Sequence, residues 1–211
     1  MAVNWLYLSP HFDDVALSSG GLIWEQVRQG NQVAIWTICG GEVPDQNPLS
    51  EFAKSLHARW NTHERTILER AREDIHACRL LGVSYLHLSW PDCIYRSDPQ
   101  TGRPFVQAEE DLYKPYSPAE QEELQHLLSN LDLPQDAQIA VPFGIGSHRD
   151  HTVLRAVAEQ LYGSIWHYPD YPYVVQRQIK PTSLAPKNSD QLKLQLSKSA
   201  LQAWKEAVAC Y

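Results

Sequence analysis

Leu6-Tyr-Leu-Ser-Pro-His11-Phe-Asp13-Asp14-Val-Ala-Leu-Ser-Ser-Gly-Gly21 is the stretch on which the fold is decided. Trp5 to Ser9 is an apolar run of strand character, and Pro10 stops it. One imidazole and two carboxylates then fall within four residues, followed by a small-residue helix start. His11 and Asp14 are three apart, so both side chains can converge on one ion while Asp13 stays free beside it. A nitrogen and an oxygen donor suit a borderline divalent ion such as Zn²⁺, with Fe²⁺ as the alternative. Two ligands do not make a tight site. The third is expected from Ser147-His148-Arg149-Asp150-His151.

Working outward, Ser18 to Gln29 reads as a helix stopped by Gly30, and Gln32 to Cys39 as a second apolar strand ended by Gly40-Gly41. This strand–helix–strand unit implies parallel strands with a right-handed crossover, whose ligands sit beyond the strands' carboxyl ends. Pro44 to Ser50 reads as loop, Glu51 to Leu81 as one long helix or two, and Val83 to Trp90 as a strand. Residues 92–118 are irregular, rich in Pro, Tyr and Arg, and are read as an active-site loop over a disordered insert. A helix follows from Pro118, capped by Ser117, to Leu131. Gln138 to Pro142 is a strand, His151 to Leu161 a helix and Ser164 to Tyr168 a late strand. Pro169 to Tyr173 is a tyrosine-rich turn, Gln176 to Asp190 loop or edge strand, and Gln191 to Ala209 a closing amphipathic helix. With neither repeat nor linker, residues 1–211 read as a single α/β domain around a mostly parallel sheet.

Composition narrows the partners. The net charge is −7, from 18 basic and 25 acidic side chains, and no basic run stands out. That argues against nucleic acid and anionic membrane surfaces. The four cysteines lack CxxC spacing and read as thiols of a reducing compartment. No leader and no membrane-length apolar run is visible, so a cytoplasmic protein is expected. The aromatic segments would permit an oligomer.

A catalytic zinc site has three protein ligands and one open position for water. His11, Asp14 and His151 would supply two nitrogens and one oxygen. The pKa of the bound water would fall to near ~7. Asp13, adjacent but not a ligand, is a candidate general base for it. His148 is placed to protonate a leaving amine or to stabilise a tetrahedral oxyanion. Asp150 is expected to fix its tautomer and raise its pKa by accepting its other N–H. The competing reading is plain: acids after a strand cap helix N-termini, and paired histidines often lie on a surface. What favours the metal is that each motif follows a predicted strand and opens a predicted helix.

Pro10-His-Phe-Asp-Asp14 with Leu17-Ser-Ser-Gly-Gly21, and Gly146-Ser-His-Arg-Asp-His151, resemble the two signatures of the LmbE-like / PIG-L de-N-acetylase family. Arg70-Ala-Arg-Glu73, Leu81-Gly-Val83 and Trp90-Pro-Asp92 resemble its middle segment, so the likeness runs from about residue 3 to 173. It implies a three-layer Rossmann-like fold and a zinc-dependent hydrolase. Such an enzyme removes the acetyl group from an N-acetylglucosamine-like amide, with a zinc-bound water as nucleophile. The match makes His11, Asp14 and His151 the metal ligands, Asp13 the base, His148 the acid or oxyanion partner and Asp150 its orienter. It adds Arg70 and Asp92 as sugar contacts, against a helix-surface ion pair and a turn cap as the structural alternatives. Two positions depart from the pattern. Val15 stands where a third acid is usual. Gly146 stands where some members carry an oxyanion-binding tyrosine, a role for which Tyr168, Tyr171 and Tyr173 are candidates.

The expected partner is a small molecule or glycan carrying an N-acetyl group. Two other readings compete. One is a catalytically silent, metal-bearing glycan-binding module. The other is a nucleotide-binding Rossmann enzyme, disfavoured because Ser9 to Asp14 lacks G-x-G-x-x-G and puts three ionisable groups where phosphate would sit.

Overall fold

The computed structural model describes residues 3–44, 49–60, 65–184 and 189–211. Among the described residues there are five strands: β1 (Trp5–Ser9), β2 (Val33–Thr37), β3 (Ser84–His87), β4 (Gln138–Pro142) and β5 (Trp166–Tyr168). They form one sheet in the order β3-β2-β1-β4-β5, and every pairing is parallel. The expected mostly parallel sheet is thus wholly parallel. The helices are α1 (Asp14–Arg28), α2 (Glu51–Trp60), α3 (Thr66–Leu81), α4 (Pro118–Ser129), α5 (Arg149–Tyr162), α6 (Tyr173–Gln176) and α7 (Lys198–Val208).

The alternation of β1 explains the layers. Leu6 and Leu8 face a core shared with Leu124 and Leu128 of α4 and Val153, Leu154 and Val157 of α5. Tyr7 faces the opposite way, onto Val15, Ala16 and Ile23 of α1 and Ala77, Cys78 and Leu81 of α3. Both faces are therefore buried, which is why the inner strands carry continuous apolar runs. The chain steps β1 to β2 to β3 on one side, then returns to place β4 on the other flank of β1. The carboxyl ends of β1 and β4 thus flank the point where strand order reverses, the place where such sheets bind ligands.

Several boundaries differ from the sequence reading, for local reasons. Helix α1 begins at Asp14 rather than Ser18. Ser9 Oγ accepts the Val15 N–H at 3.3 Å and the Asp14 carboxylate accepts the His11 N–H at 2.9 Å, so the turn is closed four residues earlier. The small residues then lie inside the helix. A Cβ on Gly20 would stand 2.6 Å from the Trp204 ring of α7, whose Nε1–H donates to the Ala16 carbonyl at 2.8 Å. Helix α7 in turn starts at Lys198, not Gln191, because Ser197 caps it by accepting the Ala200 N–H at 3.1 Å. Likewise α5 opens at Arg149 rather than His151, with His148 as its N-cap. Residues 51–81 form two helices, with 61–64 outside the described residues. Strand β3 is confined to four residues, and β2 and β5 are also shorter than expected. The 44–50 loop lies partly outside the description, as do residues 185–188. Among the described residues of 176–190 there is a 3-10 turn at Pro181–Ser183 and no strand.

Residues 92–118 are anchored rather than loose. Cys93, Ile94, Tyr95 and Val106 are buried in a third cluster with Phe12, Leu56 and Ile67, and Glu109–Tyr113 forms a single 3-10 element. At the carboxyl side of β2, Gly41 donates its N–H to the Trp90 carbonyl at 3.0 Å. A Cβ there would lie 2.2 Å from the Ser89 carbonyl oxygen, a backbone atom that cannot step aside. Gly41→Ala is therefore expected to destabilise the fold by about 1–3 kcal/mol, read as a lower denaturation midpoint at unchanged m-value.

Candidate metal centre

The turn after β1 presents His11 and Asp14, and the N-terminal turn of α5 presents His151. Asp14 Oδ2 lies 3.0 Å from His11 Nδ1 and 3.3 Å from His151 Nε2. The three donors are mutually within 4.8 Å. Each histidine is backed by a carboxylate on its far nitrogen. Asp150 Oδ2 sits 3.0 Å from His11 Nε2, and Asp170 Oδ1 sits 2.6 Å from His151 Nδ1. That arrangement puts the ring protons on the outer nitrogens and leaves His11 Nδ1 and His151 Nε2 free to donate inward. Two imidazole nitrogens and one carboxylate oxygen, oriented from behind, fit a divalent ion with a further position open.

The charges agree with this picture. Burial alone would lower the pKa of both histidines. The Asp92, Asp14 and Asp150 carboxylates outweigh it at His11, and His151 is pushed up to about 9 by Asp14 and Asp170. Burial would likewise raise the Asp14 carboxyl, but His151 and His11 hold it well below the usual range.

The structure corrects the expected pairing of Asp150. Its carboxylate is turned toward His11, accepts the Cys93 N–H at 3.1 Å, and is gripped by Arg96 Nη2 at 2.5 Å. His148 Nδ1 instead accepts the backbone N–H of Asp150 at 3.3 Å. The His148 proton therefore resides on Nε2. Its pKa is not raised but pushed down to about 3, by burial and by neighbouring His11 and His151. His148 is a neutral hydrogen-bond donor whose ring stands 5.0 Å from that of His11.

Asp13 lies beside the seat, not in it. As the N-cap of α1 it spends no side-chain hydrogen bond on the helix, and its carboxylate pairs with Arg70 at 3.2 Å. Arg70 is in turn held over the rings of Trp60 (4.8 Å) and Phe12 (5.9 Å). The predicted sugar contact is thus engaged with Asp13. Asp92 caps its own turn by accepting the Ile94 N–H at 3.1 Å, while its other oxygen stands 3.6 Å from His11 Nε2.

Sequence reasoning missed four residues. Asp170 follows the carboxyl end of β5, a placement that marks His11 and Asp92 too, so strand order carried the signal. Arg96 and Glu120 had none. Arg96 lies over Trp90 at 3.7 Å, and Glu120 joins it to Arg149 through bonds of 2.7 and 2.6 Å. Glu120 also completes the capping box of α4 with Ser117. These two arginines and one glutamate, balanced in charge by Asp150, fix it from behind. The fourth is Tyr113, edge-on to His148 at 6.2 Å.

Of the three tyrosines singled out, Tyr168 is buried with its hydroxyl donated to the Leu8 carbonyl at 2.9 Å, and Tyr171 is exposed. Tyr173 alone reaches the centre, edge-on to His151 at 6.0 Å. It does so because position 146 is glycine. Gly146 has φ +97°, and a Cβ there would strike the Tyr173 ring at 2.5 Å.

The backing carboxylates make a prediction. Asp170 also accepts the Ile145 N–H at 3.0 Å, so the asparagine variant keeps one acceptor but loses the charge behind His151. Asp170→Asn is expected to weaken zinc affinity roughly 10–100-fold, measured by competition with a chelating indicator.

Residues 6–162 match the family described as PIG-L, GlcNAc-PI de-N-acetylase. The chain is 29% identical over 189 residues to 2'-N-acetylparomamine deacetylase of Niallia circulans, covering 80% of this chain and 67% of that protein. It superposes on a deacetylase–teicoplanin complex from teicoplanin biosynthesis with a TM-score of 0.78 and 25% identity, covering 99% of this chain and 86% of that one. It also superposes on the zinc-inhibited form of teicoplanin deacetylase Orf2 with a TM-score of 0.73 and 24% identity, over 99% and 83% of the two chains. This chain belongs to the PIG-L (LmbE-like) de-N-acetylase family.

Proposed function

We propose that the protein is a zinc-dependent N-deacetylase that hydrolyses the acetamide of an N-acetylglucosamine-like amino sugar. The observation that carries this is the convergence of His11, Asp14 and His151 with a non-ligand carboxylate, Asp13, on one side and a neutral imidazole, His148, on the other. The family match and the deacetylase relatives support the reaction class.

His11, Asp14 and His151 would hold a divalent ion, which when bound would supply Lewis acidity and make water more acidic at neutral pH. The residues of the chain do the rest. Asp13 accepts a proton from the attacking water, and Arg70 keeps its carboxylate aimed. His148 donates its Nε2–H to the amide oxygen as negative charge develops there. The new C–O bond forms at the acetyl carbon, and the C–N bond then breaks. The proton held by Asp13 goes to the departing nitrogen, giving acetate and a free amine. Asp150 acts through His11, and Asp170 through His151. The 92–118 segment, with Tyr113 beside His148, walls the pocket over the single domain of residues 1–211. Asp92 faces the same cleft and is the remaining sugar contact.

The unpaired cysteines, three of them buried, support a reducing and hence cytoplasmic setting. Among the described residues no helix is long and apolar enough to cross a membrane. The test is acetate release from N-acetylglucosamine and 2'-N-acetylparomamine by zinc-loaded protein. Acetate that appears with zinc and disappears after chelation is the expected result. Sugar binding without acetate would instead make the chain the catalytically silent binder.

A further inference from the structure

A second buried cluster lies behind the metal site, and the chemistry described so far makes no use of it. Asp74 of α3 is 1% exposed. One of its oxygens stands 2.7 Å from His87 Nε2, at the end of β3. The other stands 2.8 Å from the hydroxyl of Tyr211, just beyond α7. That same hydroxyl is 2.8 Å from the carbonyl oxygen of Phe12. The Phe12 ring is edge-on to His87 at 4.9 Å, which closes the cluster.

The Phe12 carbonyl belongs to the peptide that leads directly into Asp13. It precedes α1, so the helix offers it no donor among its own N–H groups. Arg70 and Asp74 are four residues apart and share one face of α3. Helix α3 therefore holds the Phe12–Asp13 segment at two points. Arg70 pairs with the carboxylate of Asp13 directly. Tyr211 supplies the second point: its one O–H proton is shared between the Asp74 carboxylate and the Phe12 carbonyl oxygen. The Leu17 N–H holds the Asp13 carbonyl at 2.9 Å and the Phe12 ring is buried, so the Tyr211 bond adds a hold on the peptide between them.

We infer that Tyr211, seated on the Asp74 carboxylate that His87 also holds, is a positioning residue for Asp13, clamping the Phe12 peptide so that the carboxylate faces the attacking water. This rests on Asp13 being the base, as proposed above. Tyr211 touches none of the three candidate metal ligands in the contacts seen here, so its effect is on turnover and not on metal. It also ties the packing of α7 on α1 and α3 to the geometry of the centre.

The test is Tyr211→Phe, which keeps the ring and removes the hydroxyl, measured alone and in an Asp13→Asn background. The probe is whichever of N-acetylglucosamine or 2'-N-acetylparomamine the wild type turns over faster. In the single variant, kcat is expected to fall roughly tenfold, because small misplacements of a catalytic group are costly. KM and bound zinc should stay within about twofold, and in the Asp13→Asn background the further loss should vanish. Unchanged kcat in Tyr211→Phe, or the same loss in both backgrounds, would overturn the inference while leaving the deacetylase reading intact. Wild-type turnover by Asp13→Asn would instead overturn the base assignment, and this inference with it.

Discussion

Replacing His151 with alanine is expected to leave purified protein with almost no bound metal, where the wild type holds about one zinc per chain. Elemental analysis after desalting reads this directly. The argument is geometric. His151 supplies one of the three donors proposed, and it is the one that brings the second motif to the first. Its ring is 2% exposed and fixed at Nδ1 by Asp170, so its Nε2 is held toward Asp14 in one orientation. The loss must exceed the roughly 10–100-fold expected when only an outer-shell partner is removed. Asp14→Ala reads the same site from the other motif and should give the same result. Its carboxylate is the point on which both imidazoles converge. Circular dichroism of each variant separates metal loss from unfolding. Wild-type metal content in a folded His151→Ala protein would mean that the two motifs do not form one centre.

Asp13→Asn is expected to show the opposite pattern: full metal content with turnover reduced roughly 10²–10⁴-fold, the usual worth of a general base. Asparagine is nearly the same size and keeps a partner for Arg70, so the shape of the pocket is preserved. What it loses is the ability to take a proton. Asp13 is the one acid of the first motif whose carboxylate is not directed at a histidine of the centre. Its partner is Arg70, and it remains open to the cleft. The measurement is initial-rate acetate release at saturating substrate alongside zinc content. Undiminished kcat at full loading would remove Asp13 from the mechanism.

The candidate ligand set was legible because it is local chemistry at strand ends. His11, Asp13 and Asp14 follow one apolar run, and His148 to His151 follow another. Parallel sheets gather such ends on one side. The same logic, applied to the shorter strand β5, would have found Asp170. Helix boundaries were less legible, since they turn on single capping bonds. Ser197 delays α7. Ser9 advances α1. The residues around Arg96 were not legible at all. A buried arginine in an irregular segment has no periodicity, and its three partners come from positions 91, 120 and 150.

By itself, the sequence determined that this is a parallel α/β protein and singled out His11, Asp14 and His151 as its candidate metal-ligating triad. Apolar periodicity and donor chemistry are properties of short segments. Only the tertiary structure decided which carboxylate serves which imidazole. Asp150 is one residue from Arg149 and two from His148, yet it serves His11, 139 positions away, because Arg96 and the Cys93 N–H turn it there. Tyr173 occupies space that Gly146 leaves open, and Tyr211 reaches the carbonyl of Phe12 across 199 positions. Such pairings depend on where helices pack on the sheet. Spacing along the chain carries no record of that.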